Sequence, residues 1–280
     1  MRAQWLAGEY GAAFAETQAS LAAFDRTVTQ PGRHDEIVLW FEHDLFDQLL
    51  LIRTLDLLSN ARAPVSMICI GEFPGIDRFI GLGQLNAEQL ASLYPTRQQV
   101  GEEQFELGRS AWRAFRADDP SGLWTLRVRL KQSTSASPLP FLGDAIQRLF
   151  EEYPSTTNGL SRSAHAVLRG LESGPLDGIA LFRATQWTEP RPFIGDKGLF
   201  DIVHALASAV HPLVSISPGD GKLDLREHTI SLTAEGREVL AGRADAIALN
   251  GIDEWRGGVH LIGRERSPWR WDSSRETLVS

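Results

Sequence analysis

The sequence predicts a mixed α/β protein, with a parallel sheet in its N-terminal domain and a helix-and-hairpin domain after it. Three observations predict this. Ile37-Val38-Leu39-Trp40-Phe41 and Val65-Ser66-Met67-Ile68-Cys69-Ile70-Gly71 are short apolar runs suited to strands buried on both faces. Between them, Leu45, Phe46, Leu49, Leu50, Ile52, Leu55 and Leu58 recur at helical spacing, so strand, helix, strand implies a right-handed parallel crossover. Beyond residue 160, three helical stretches precede two strands joined by a strong turn signal.

Each element has a local reason. Residues 1–30 favour a helix through their alanines, and Pro31-Gly32 closes it. Ala61–Pro64 ends the helix between the two strands. Phe79–Leu85 reads as a loop, and Asn86 as the N-cap of a helix over 86–94. A second helix covers 102–116 and breaks at Asp118-Asp119-Pro120. Residues 121–131 fit helix or strand. Ser133–Pro138 is a flexible loop, 141–153 an amphipathic helix, and 155–159 the expected domain boundary. The second domain, 158–243, starts with Ser161 capping a helix over 162–173. Helices at 177–187 and 198–210 follow, then strands 213–216 and 229–232 around Pro218–Lys222, and a helix from Thr233 to Leu240. This order resembles a winged helix. The Trp- and Gly-rich tail, 244–280, is expected to fold back, with Trp269–Asp272 as a terminal strand.

Composition sets bounds. The chain has 280 residues, 42% hydrophobic and 23% charged, which excludes a disordered, collagenous or coiled-coil protein. No apolar run reaches the ~18 residues of a membrane span. Glu9 and Glu16 interrupt any export signal, and the single cysteine, Cys69, excludes a disulfide framework. The expected compartment is the cytoplasm. Lys plus Arg number 28 against 36 Asp plus Glu, net −8, and residues 1–157, 158–243 and 244–280 are each acidic. Nucleic-acid affinity comes mainly from basic side chains on phosphates, so the charge counts against DNA.

The richest chemistry lies at Glu42-His43-Asp44, with Asp47 and Gln48 close behind. Parallel sheets place ligand sites at the carboxyl ends of their strands. Glu42 or His43 suits general acid/base work, Asp44 and Asp47 suit a metal or a hydroxyl, and Gln48 suits an orienting amide. The competing reading is structural: Asp44 caps the helix and Asp47 completes a capping pattern. Gly81, Gly83 and Gln84 form a second candidate, in which backbone amides cradle an anion, although a tight turn explains them as well. Asp196 and His260 are further ligand candidates, each with a structural alternative in a turn or a docked strap. The helix at 198–210 holds no Lys or Arg, and only Lys197, Lys222 and Arg226 stand near for phosphate contact. No nucleophile signature or Cys/His metal spacing appears, and no cofactor is named by a motif.

Seven ordered motifs carry a resemblance: LWFEHDLFDQ (39–48), FIGLGQL (79–85), AWRAFRADDP (111–120), LPFLGDAIQRLFEEYPSTTNGLS (139–161), PFIGD (192–196), LTAEGREVLAG (232–242) and WRGGVHL with WRWD (255–272). In these the chain is similar to bacterial proteins that carry the domain of unknown function 1835. The resemblance implies kinship over nearly the whole chain and no particular activity. Members of that family begin with an extra strand bearing a Gly-Ser-Asp or Gly-Asp-Ser turn, then an Asp-Pro-Leu and a Gly-Pro-Val-Pro region. This chain starts at what corresponds to their Arg-Ala helix (Arg2, Ala3). The expectation is a late start codon or a sheet lacking its first strands, which leaves an unpaired edge beside 37–41.

The functional expectation is a protein binding a small polar or phosphorylated ligand at 42–48, with hydrolase or transferase chemistry open to it. The alternative is a winged-helix regulator contacting DNA or a protein, or an interaction module without catalysis.

Overall fold

The computed structural model describes residues 13–29, 34–133, 135–264 and 269–280. The start of the expected first helix, the closing Pro31-Gly32, Thr134 of the expected loop and 265–268 of the tail lie outside the described residues. The protein is mixed α/β, with eleven α-helices and ten strands among the described residues. It divides into two units. The first holds Met1–His43, Asp47–Arg113 and Ser137–Leu139, and the second Asp44–Phe46, Ala114–Ala136 and Pro140–Ser280.

In the first unit, α1 (Phe14–Thr29) precedes β1 (Ile37–Glu42), α2 (Leu45–Leu58) and β2 (Val65–Ile70). The two apolar runs pair in parallel, in register from Ile37 on Val65 to Glu42 on Ile70. The crossover helix buries Leu51, Ile52, Leu55 and Leu58, as its spacing requires. After α3 (Ala87–Leu93), capped by Asn86 and Gln89 in a reciprocal box, comes β3 (Gln98–Gln99). β3 lies antiparallel on β2, so the sheet is mixed, in the order β1-β2-β3. Two exposed glutamines carry no apolar strand pattern, which is why only the parallel pair was legible. Glu36 fastens this edge: it accepts from Ser66 Oγ at 2.6 Å and from Arg97 Nε at 3.0 Å. α4 (Glu102–Phe115) follows, and its Gly108 sits so close to Leu55 that an added Cβ would come within 2.6 Å of it.

The ambiguous stretch after Pro120 is helix α5 (Ser121–Gln132), because Leu123, Leu126 and Arg127 are buried at a period of 3.6 rather than 2. α6 (Leu142–Phe150), α7 (Arg162–Gly170), β4 (Leu176–Asp177), α8 (Gly178–Thr188), α9 (Asp196–Ser208), β5 (Val214–Ser217), β6 (Thr229–Leu232) and α10 (Ala234–Leu240) complete the body of the second unit. Its strands are antiparallel in the order β4-β6-β5. Ser161, Asp177 and Thr233 cap α7, α8 and α10. α7 stops at Gly170, short of the expected 173, and the chain turns through Gly174 at φ +142. Gly236 lies against the Leu213 carbonyl, where no Cβ fits. One core, including Val167, Leu181, Val203, Ile230 and Val239, joins these elements.

The expected boundary at 155–159 is not a break, and the units divide instead near residue 113. Trp271 N–H donates to the Pro154 carbonyl, Thr156 N–H to the Trp271 carbonyl, and Ala246 N–H to the Asn158 carbonyl. These bonds seat the tail: α11 (Ala246–Asn250), the hairpin β7 (Ile252–Arg256) and β8 (Val259–Gly263), and the pair β9 (Arg270–Asp272) and β10 (Thr277–Val279). Trp271 is buried, stacked on Phe150 at 6.4 Å and edge-on to Trp124 at 6.2 Å. Trp271→Ala is expected to cost about 3–5 kcal/mol, read as a lower urea midpoint. A loss below about 1 kcal/mol would mean the tail is not part of this core.

Candidate functional site

Glu42 ends β1, its backbone bonded to the start of α2 and its carboxylate to the 78–84 loop. Its amide donates to Asp47 Oδ2 at 2.7 Å, one turn into α2. Its carbonyl accepts from Gln48 Nε2 at 2.6 Å. Its carboxylate Oε1 accepts from the Leu82 amide at 2.6 Å. Asp47 therefore reaches back from the first turn of α2 to the end of β1.

The 78–84 loop is shaped around these bonds. Gln84 Oε1 accepts from the Ile80 amide at 2.6 Å and the Gly81 amide at 3.3 Å, and its Nε2 donates to the Arg78 carbonyl. The Glu42 carboxylate lies directly on Gly81, in the space a Cβ would take. Of the expected anion cradle, the Gly81 amide is thus bonded to Gln84 Oε1 and the Gln84 backbone amide to the Gly81 carbonyl. Gly83 has open space around its Cα, so packing does not demand glycine there.

Gln48 is 1% exposed. Its Nε2 also approaches Cys69 Sγ at 3.4 Å, while its Oε1 is buried and has no hydrogen-bond partner. Cys69 is the member that sequence reasoning left out, as an inert thiol. The available signal was register, since parallel pairing places Cys69 beside Phe41. Burial pushes the Cys69 thiol up to about 11, against the Gln48 hydrogen bond. Burial likewise holds the Asp47 carboxyl above its ordinary value, opposed by the Glu42 amide.

The other candidates lie differently. His43 is buried, with its ring 6.0 Å from that of Phe79. Asp44 is buried too, but belongs with the second unit. Asp196 starts α9 and binds Arg226 at 3.0 Å, which holds its carboxyl below the ordinary range. His260 bonds Asp253 at 2.7 Å and stacks on Trp255 at 4.3 Å. The structure therefore joins Glu42, Asp47, Gln48, Gly81 and Gln84, while Asp196 and His260 have separate partners. Among the described residues, no group of three or more His, Cys, Asp or Glu is placed to hold a metal, and no helix is long and apolar enough to cross a membrane. No protein-family model matches the chain, and no curated protein matches it.

Two outcomes follow. Gly81→Ala should displace the Glu42 carboxylate from the Leu82 amide and lose about 1.5–3 kcal/mol. In a Glu42→Ala background the same change should be nearly neutral, and additive losses in denaturant melts would break this account. Asp47 binds its proton more tightly folded than unfolded. The stability from that proton is full below the unfolded value, about pH 4, and is lost as pH rises through the folded value. Asp47→Asn keeps an acceptor for Glu42 without the charge. Its stability relative to the parent should rise as the pH climbs above about 4 and through the folded value; a flat difference across urea melts would contradict the burial effect.

Proposed function

We propose that the β1–α2 corner binds a small polar ligand through Glu42, Asp47 and Gln48. The observation that carries this is Gln48 Oε1, a buried carbonyl oxygen with no hydrogen-bond partner. Such a group is destabilising by about 1–3 kcal/mol, and a ligand hydroxyl or amino group donating to it would relieve that. Glu42 and Asp47 add negative charge, which favours a neutral or cationic ligand over a phosphorylated one. Glu42, His43 and Asp47 are the groups that would move a proton if a hydrolase or transferase reaction follows. The reading sets the protein in the cytoplasm and keeps its kinship with the domain of unknown function 1835 on the seven motifs.

We also read 158–243 as winged-helix-like. The support is the order α7-β4-α8-α9-β5-β6, with β6 between β4 and β5. The three cations singled out beside its last helix and hairpin are paired: Lys197 with Asp201, Lys222 with Asp220 and Arg226 with Asp196. Trp187 and Leu223 are 79% and 67% exposed. These favour a protein contact over DNA for this domain.

A thermal-shift screen against sugars, nucleosides, amines and sugar phosphates tests the corner. Glu42 also anchors the loop, so Glu42→Gln is the useful variant, with Gln48→Met beside it. A rise in melting temperature with a polar, non-phosphorylated class, lost in both cooperatively melting variants, is expected. No rise, or one that both variants keep, overturns the site. A salt-dependent shift of a DNA duplex would overturn the preference for a protein contact.

A further inference from the structure

A hollow of about 600 Å³ opens within the second unit, between α7, α9 and α11 on one side and the β7–β8 hairpin on the other. Its helical wall carries Ala164, Ala205, Ala209 and Ala246, beside Leu206 and Leu213. Short side chains keep it open. Protein interiors otherwise pack densely, so an alanine-lined wall forgoes dispersion contacts that a guest would restore. The volume falls in the range of small-molecule sites, roughly 300–1,000 Å³.

The hairpin base sets the rim. Gly251 at φ +76 and Gly263 at φ +126 turn the chain there, in a region that favours glycine. The Arg264 side chain lies over Gly251, its Nε 3.8 Å from where a Cβ would stand. The acidic groups of the rim are matched already: Glu152 binds Arg148 and Ser163, Glu254 binds Arg256, and Asp253 binds His260. Arg264 lines the hollow, is exposed, and has no carboxylate partner among the described residues.

We propose that this hollow is a binding site for a small amphipathic carboxylate, with its apolar body on the alanine wall and its acid group on Arg264. The wall supplies apolar contact and shape, and the guanidinium supplies a two-pronged donor for a carboxylate. The site belongs wholly to the second unit and stands whether or not the β1–α2 corner binds a ligand.

Isothermal titration of the full chain with octanoate and benzoate, and with octanol and octylamine for comparison, tests it. At least one acid should bind saturably, one per chain, and more tightly than octanol or octylamine. Arg264→Gln should weaken the acid about tenfold, as expected for a lost charge-assisted bond, and leave octanol unchanged. Ala205 is exposed on α9, so Ala205→Leu should fold normally and block the acid by filling the hollow. Circular dichroism of both variants separates lost binding from lost folding. Equal affinity for octanoate and octylamine, no saturable binding of either acid, or acid binding that survives Ala205→Leu in a folded variant would overturn the proposal.

Discussion

A buried guanidinium holds the second unit together. Arg148 on α6 is 8% exposed, and a charge taken out of water must find partners. It finds three: Glu152 at 2.6 Å, Glu189 at 3.0 Å and Ser163 Oγ at 3.1 Å, with the Phe193 ring 4.9 Å away. Those partners come from the end of α6, the end of α8, the start of α7 and the loop before α9. Removing one member would strand the others without compensation, the costly way to break a buried ion pair. Arg162 adds a second link, binding both Glu151 and Glu189. α6 is therefore fixed to the helices after it, and 155–159 is an internal turn rather than a linker.

Glu42 plays the corresponding part in the first unit. The last residue of a parallel strand has backbone groups that its neighbour strand no longer serves, and these must be satisfied. Asp47 and Gln48, one turn into α2, take the amide and the carbonyl, and the carboxylate takes an amide of the 78–84 loop. A cluster that reads as chemistry in the sequence thus also does structural service. Gln48 Oε1 is an atom that the structural service leaves over.

The corner and the hollow differ in kind. At the corner, carboxylates and an amide converge. In the second unit, alanines leave room beside Arg264, a cation without a carboxylate partner among the described residues. The first suits a hydrogen-bonding group and the second an apolar body with an acidic end.

The elements were legible from the sequence because their causes are local. Helical spacing gave α2, apolar runs gave β1 and β2, and Asn86, Ser161 and Thr233 marked helix starts through short-range caps. The concentration of Glu42, Asp47 and Gln48 after β1 was visible for the same reason. What escaped depends on partners far along the chain. β3 is two glutamines defined only by pairing with Ser66 and Met67. The Leu82 amide and Gly81 meet Glu42 across forty residues. Trp271 meets Phe150, and the alanine wall faces a hairpin, only after the tail has folded back. The sequence by itself determined the periodicity, the caps and the acidic charge, all set within a few residues. The tertiary structure alone decided which polar atoms find partners and where side chains leave space, because burial and packing are properties of contacts between distant segments.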